Sequence, residues 1–256
     1  MTTATIPHNQ WTDAKCAKAF WDQQKYAAYR RLLADTIDWA APQPGERWLD
    51  LGCGSGPLSE AIWTRTGGRV AEVVGVDCAA VNARPYEQLQ VALGADRDRL
   101  RFVCHDFSAG LGLFETGEFD CAVSGLSISY AESWDDDAQA WTQAAYDRIL
   151  AEVGRVLKPG GRFVFSVNVP APSWGRVALS SAGSLVAAAG TAKALRKGWR
   201  MMRYGAWLKR EAKTGRFHYL PHADVAAKLR AVGFTDVEQR VTYAGQAYLF
   251  RATAPA

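Results

Sequence analysis

The 256-residue chain has no CxxC pair and no Cys/His cluster. Its five cysteines, Cys16, Cys53, Cys78, Cys104 and Cys121, are odd in number and far apart, which argues against a disulfide framework and a zinc site. Four fall near the ends of predicted strands, where cysteine serves as a small buried hydrophobe. Long apolar runs are also missing. The longest uncharged stretch, Val177 to Ala192, is rich in Ala, Gly and Ser and shorter than the ~20 apolar residues that span a bilayer. The first residues, MTTATIPHNQ, carry no apolar core of a secretory signal, so a cytoplasmic location is expected. Low hydrophobicity with high net charge would mark disorder, but 48% of residues are hydrophobic and the net charge is only +4.

That +4 is unevenly spread. Residues 171–217 hold ten Lys and Arg against a single acid, Glu211, a surplus of nine. The rest of the chain holds 20 basic and 25 acidic residues. The whole basic excess therefore sits in one segment.

Apolar residues at helical spacing predict helix over residues 11–40, ended by Pro42 and the Pro44-Gly45 pair. Strands follow at 47–51, 70–77, 100–106, 119–128 and 162–169, with helices between them and a long amphipathic helix over 136–157. Lys158-Pro159-Gly160-Gly161 should stop that helix in a turn. After the basic segment come a helix at 222–232 and two strands, 237–243 and 246–252, read as a hairpin about Ala244-Gly245. Five strand–helix alternations with continuous apolar strands predict an α/β fold: a doubly wound, mostly parallel sheet of seven strands, closed by the antiparallel hairpin. The basic segment becomes a helical insertion after the fifth strand, because structureless loops of that length are rare in compact domains.

The chemistry concentrates at the first strand–helix turn, Asp50-x-Gly52-x-Gly54-x-Gly56. Glycines there let backbone approach a ligand closely, and Asp77 at the end of the second strand can accept hydrogen bonds from two ribose hydroxyls. A dinucleotide needs G-x-G-x-x-G, and that register puts Pro57 where the third glycine belongs. S-adenosylmethionine has no phosphate and suits G-x-G-x-G. A nicotinamide-dependent oxidoreductase is thus the runner-up reading, and a non-catalytic protein binding RNA or membrane is a third.

The segments WLDLGCGSGPLS, VVGVD, FVCHDF, FDCAVSGLSISYAES and RVLKPGGRFVFS resemble, in order, the motifs of class I S-adenosylmethionine-dependent methyltransferases. The likeness is closest to the group that acts on quinone precursors and other small molecules. It spans residues 40–170 and 218–252 and implies a Rossmann-like fold with S-adenosylmethionine as cofactor. The resemblance implies that Gly52, Gly54 and Gly56 contact the amino-acid end of the cofactor and that Asp50 anchors the loop. It further implies that Asp77 holds the ribose, Asp106 accepts from the adenine amine with Phe107 beside the ring, and Ser124 lies near the sulfonium. Ser129 stands where many relatives carry histidine. Tyr130 then borders the acceptor pocket, and His218 at the exit of the insertion is the candidate base, ahead of His105 and His222. Trp21, Tyr26 and Tyr29 occupy a region that relatives fold over the cofactor, although a core stripe is the more frequent use of such aromatics.

On a helical projection of 193–213, Leu195, Trp199, Met202 and Ala206 form an apolar stripe. Lys193, Arg196, Arg200, Arg203 and Arg210 gather beside it, with Trp207 among them. This pattern is compatible with an anionic membrane surface, an anionic substrate or a solvated lid, and less so with nucleic acid. The expected organisation is one domain: a helical cap at 1–40, a cofactor core at 41–170, a basic lid at 171–217 and a C-terminal helix and hairpin at 218–256. The expected activity is methyl transfer to a small, lipophilic or anionic acceptor, without metal, at the inner membrane face or in the cytoplasm. Oligomeric state is left open.

Overall fold

A computed structural model describes residues 9–21, 23–189 and 191–256, with side chains at 182–198, 200 and 201 outside the description. A 3-10 turn at Gln10–Thr12, α1 (Ala14–Phe20) and α2 (Ala27–Ala40) precede β1 (Arg47–Leu51). Next come α3 (Pro57–Arg65), β2 (Glu72–Asp77), α4 (Ala83–Leu93), β3 (Leu100–Cys104) and β4 (Phe119–Gly125). A short ribbon, β5 (Trp134–Asp135) and β6 (Ala140–Trp141), leads to α5 (Ala144–Val156) and β7 (Leu157–Asn168). Then follow α6 (Trp174–Ala189), α7 (Thr191–Lys213), α8 (His222–Ala231), β8 (Thr235–Thr242) and β9 (Ala247–Thr253).

The main sheet has seven strands in the order β3-β2-β1-β4-β7-β9-β8. The first five are parallel, and β9 runs antiparallel to both neighbours. The expected doubly wound α/β class is what forms. Side chains alternate between two cores, as the two-residue period of a strand requires. Leu49, Leu51, Val74, Val76, Phe163 and Phe165 pack under α5 and α8, while Trp48, Val73, Val123 and Val164 pack under α2, α3 and α4. Strands covered on both faces must be apolar throughout, which is how their sequences read.

Four expected elements differ. The helix over 11–40 is broken. Asp13 caps a new start by accepting from Lys15 N and Cys16 N, and Tyr26 is extended ahead of α2. Between these, the Trp21 indole donates to Asn82 Oδ1 at 2.6 Å, a tertiary bond that local periodicity does not encode. The fourth strand ends at Gly125 rather than 128, because Leu126 turns into left-handed backbone at φ 62°. The helix expected from 136 begins at 144. Asp135 accepts from Asp137 N and Ala138 N, forming the turn of the ribbon instead. Finally, Lys158 to Gly161 bulge out within β7, whose pairing jumps from Phe119–Leu157 to Cys121–Arg162.

The helices α6 and α7 pack against each other as a hairpin. Gly205 of α7 lies directly against the Trp174 ring of α6, since a Cβ there would sit 2.3 Å from it. Trp207 is not on an outer basic face: it packs inward on Trp11, Tyr204 and Phe217. The stripe residues Trp199 (63% exposed) and Met202 (46%) face outward instead, as does Leu179 (78%) on α6. The side chains of Lys193, Leu195, Arg196 and Arg200 lie outside the described residues. Arg216 is buried and paired with Glu132 at 2.9 Å, so it contributes nothing to an outer basic surface. Among the described residues no helix is long and apolar enough to cross a membrane.

Candidate active site

The chain winds from β1 through β2 to β3 on one side, then crosses to β4 and β7 on the other. Beyond the carboxyl ends of β1 and β4, where this order reverses, an open α/β sheet has its ligand crevice. A cleft of about 1060 Å³, solvent at its mouth included, lies there.

One end of the cleft is built from the β1–α3 turn. Gly52 (φ 67°) and Gly54 (φ 54°) both hold left-handed backbone and line the wall. A Cβ on Gly52 would lie 2.2 Å from Ser127 Oγ, whereas one on Gly54 would meet nothing within 4 Å. The first glycine is needed for packing, and the second leaves open space for a ligand. Gly54 N–H donates to Asp77 Oδ2 at 2.9 Å, which ties the loop to the end of β2. Gly56 and Asp50 stand behind this surface. Gly56 backs onto Leu89 and Tyr86, and neither residue lines the cleft. Asp50 Oδ2 accepts from Ser59 N (3.1 Å) and Ser59 Oγ (2.7 Å), clamping the loop to α3. Burial pushes its pKa up to about 7, although the Ser59 bonds oppose the shift.

Asp77 reaches the cleft from the tip of β2. Its carboxylate accepts from Gly54 N, Ala79 N and Asn82 Nδ2, and burial raises its pKa against those donors. A carboxylate offers about four acceptor positions, so about one remains for a ligand. Asp106 lies on the wall with Phe107 and accepts from Ser108 N at 2.9 Å and Asn9 Nδ2 at 2.6 Å. An amide nitrogen thus already sits where an adenine amine is expected. Cys78, Ala79, Asn82 and Trp21 complete this end.

The other end is aromatic. Tyr130 follows β4 and lies beside Trp11, whose ring centroid is 4.8 Å away. Tyr29 from α2, Phe20 from α1, Trp174 from α6 and Tyr243 from the β8–β9 turn share this wall. Two of its non-glycine residues, Leu126 (φ 62°) and Tyr243 (φ 54°), hold left-handed backbone. Such strain gathers at functional sites and persists only when the surroundings impose it. For Leu126 they do: its N–H is held by the Ser166 hydroxyl at 3.0 Å.

Two expected site residues are elsewhere. Ser124 is fully buried and its hydroxyl donates to the Leu51 carbonyl at 2.9 Å. Strand alternation turns it under the sheet, and Gly125, Leu126 and Ser127 form the wall instead. His218 is also off the wall. It is buried, its backbone N–H donates to the Ser129 carbonyl at 2.8 Å, and its ring meets Tyr146 edge-on. Burial lowers its pKa, against raising backbone bonds at Ala131 and Thr142. His105 is turned to the Gly110 carbonyl and His222 to the Tyr248 ring. Of the three N-terminal aromatics, Trp21 and Tyr29 line the cleft and Tyr26 does not. Trp11, Phe20, Trp174 and Tyr243 have no local sequence signal, because elements distant in sequence bring them together. Tyr243 came nearest to having one, as an aromatic directly before a predicted turn.

A family model described as "Methyltransferase domain" matches residues 22–239. A 2-phytyl-1,4-naphtoquinone methyltransferase of Synechococcus elongatus is 28% identical over 144 residues, which is 55% of this chain and 54% of that protein. The chain spans about half the length of the curated relatives it matches. Among solved structures, a SAM-dependent methyltransferase from Aquifex aeolicus has a TM-score of 0.60 at 10% identity, covering 94% of this chain and 98% of that one. The Haemonchus contortus phosphoethanolamine N-methyltransferase 2, solved with S-adenosyl-L-methionine, has a TM-score of 0.61 at 16% identity, covering 99% and 61%. With a family match over most of its length and the matching fold around the cleft, the chain belongs to the methyltransferase-domain family.

Proposed function

We propose that the protein transfers a methyl group from S-adenosylmethionine to a small lipophilic acceptor. One observation carries this reading: a single cleft has a glycine-and-carboxylate end and an aromatic end, meeting where the sheet order reverses. S-adenosylmethionine supplies a methyl carbon activated by positive sulfur. The open face at Gly54 and the unfilled acceptor position on Asp77 fit its amino-acid and ribose parts. Asp106 and Phe107 would hold the adenine once Asn9 gives way, and Asp50 and Gly56 support the loop from behind. Positioning then supplies much of the catalysis. The printed name of the Synechococcus relative, a quinone methyltransferase, supports a lipophilic acceptor.

The oxidoreductase reading is weaker. Pro57 begins α3 at the cleft wall and brings no N–H to the helix start, where a pyrophosphate would need donors. Calorimetry with S-adenosylhomocysteine and with NADPH separates the two. Binding of S-adenosylhomocysteine alone is expected, and binding of NADPH alone would overturn the proposal.

The outward Leu179, Trp199 and Met202 favour a second element of the proposal. The hairpin at 174–213 acts as a lid and rests on an anionic membrane surface at the cytoplasmic face, from which a lipophilic acceptor enters.

A further inference from the structure

Both carboxylates of the cleft are tied to the N-terminal segment by tertiary hydrogen bonds. The Trp21 indole donates to Asn82 Oδ1 at 2.6 Å, and the Asn82 amide donates in turn to Asp77 Oδ1 at 3.0 Å. At the other end of the segment, Asn9 Nδ2 donates to Asp106 Oδ2 at 2.6 Å. The Asn9 amide fits only one way. Its Oδ1 accepts from Trp11 N at 3.0 Å, so turning it over would set N–H against N–H and oxygen against carboxylate. The second Asp106 oxygen, Oδ1, accepts from Ser108 N and caps the turn after β3. Oδ2 is the oxygen left for a ligand, and Asn9 holds it. Asn9, Asp106 and Phe107 all line the cleft.

The two anchors are unequal. Asn82 is 3% exposed and bonded through both atoms of its amide. Asn9 is half-buried, so water or a ligand can replace its bond to Asp106. Its side chain also caps the 3-10 turn Gln10–Thr12, which makes Asn9 and Trp11 one unit. The Trp11 ring lies among Tyr130 (4.8 Å), Phe217 (5.7 Å) and Trp207 of α7 (6.3 Å). Phe20, at the end of α1, meets Tyr204 of α7 at 5.3 Å. The Gln10 backbone stands beside the Glu132 carboxylate, which holds Arg216 just beyond α7. A shift of Asn9 therefore disturbs contacts of the α6–α7 hairpin.

We propose that Asn9 is an internal competitor for the cofactor: its amide occupies the Asp106 oxygen that would take the adenine amine, and displacing it unlatches residues 9–13 from α7. The proposal rests on the methyltransferase reading and adds a control to the same site. An adenine amine presents the same kind of N–H donor as the Asn9 amide, so the carboxylate keeps a partner throughout the exchange. Once released, the turn carries Trp11 off the Tyr130 ring and clears the aromatic end of the cleft. The empty protein stays latched, and the acceptor end opens after the cofactor has entered. The Trp21 anchor on buried Asn82 holds while the Asn9 end swings.

The test is calorimetry with S-adenosylhomocysteine on the unaltered protein, Asn9→Ala and Asn9→Ser. Serine still caps the turn but is too short to reach Asp106. A competitor that shuts the site about nine-tenths of the time weakens apparent affinity about tenfold, so both substitutions should tighten binding by about that factor. Hydrogen–deuterium exchange supplies the second measurement. Adding S-adenosylhomocysteine to the unaltered protein should speed exchange at residues 9–13 and 204–217, where a segment that closes over its ligand would slow. Weaker or unchanged binding in either variant, or slowed or unchanged exchange in either segment, would overturn the proposal. Failure of all three proteins to bind S-adenosylhomocysteine would instead remove the methyltransferase reading beneath it.

Discussion

Asp50 is buried with one carboxylate oxygen on Ser59 and the other without a partner, so its charge is costly. Below about pH 4 the group is protonated in both folded and unfolded chains. As pH rises toward 7 the unfolded chain releases the proton while the folded one keeps it, and stability falls by up to ~1.4 kcal/mol per unit. Above that pH the penalty is constant. Asp50→Asn keeps the Ser59 bonds and should flatten the decline, raising Tm at pH 8 relative to the unaltered protein and leaving it nearly equal at pH 4. Identical pH profiles would mean that Asp50 ionises normally. Asp77 instead lines the cleft, where the proposed reading has it hold the ribose. Its replacement by Ala should weaken S-adenosylhomocysteine by about 1.5–3 kcal/mol in calorimetry, the worth of hydrogen bonds to a charged group. Asp77, Asp106, Phe107, Gly52 and Gly54 were legible in sequence because each follows a strand whose end is fixed by its own apolar run. Ser124 was misread because one step along a strand exchanges the cleft for the core. His218 was misread because proximity to a lid in sequence does not fix which way a ring turns.

Elements were legible where burial alone dictates them and obscure where one side chain overrules periodicity. The five parallel strands follow apolar runs and appear in their expected order, with ends displaced where Leu126 turns and where Lys158 to Gly161 bulge. The breaks at 21–26 and 134–143 depend on the Trp21–Asn82 bond and the Asp135 turn, which a helical count passes over. Left-handed Leu126 and Tyr243 were invisible for a related reason, since neither is the glycine that usually marks such a bend. The α6–α7 hairpin depends on a comparable close approach, at Gly205. Alanine in a helix gains about 1 kcal/mol over glycine. Here, however, the added carbon would meet the Trp174 ring at 2.3 Å, and overpacking costs about 1–3 kcal/mol. Trp174 also lines the cleft, so it cannot move without altering that wall. Gly205→Ala should therefore lower Tm in thermal unfolding while sparing S-adenosylhomocysteine affinity in calorimetry. A raised Tm would show that the hairpin gives way freely.

Across the whole molecule the charge is divided: the basic residues beyond balance lie in 171–217, and the remainder is net acidic. Structure refines this division. Arg216 is withdrawn into a buried pair with Glu132, while Arg176, Arg203, Lys209, Arg210 and Lys213 stay exposed on the same two helices as the outward Leu179, Trp199 and Met202. Arg203 lies over the Trp199 ring at 4.8 Å, so cation and indole present a joint surface. Each cation near an anionic bilayer contributes about 1 kcal/mol, and apolar side chains add to it only if they enter the interface. The two contributions respond differently to salt, because the Debye length falls from ~10 Å at 0.1 M to ~3 Å at 1 M. Co-sedimentation should be strong with phosphatidylserine vesicles and weak with phosphatidylcholine ones, and 1 M salt should reduce it without abolishing it. The double substitution Trp199→Ala, Met202→Ala should remove the part that survives salt, whereas Arg203→Glu, Arg210→Glu should remove the preference for the anionic lipid. Equal binding to both vesicles would make the hairpin a solvated lid, and its basic surplus would then have to be explained by a soluble anion.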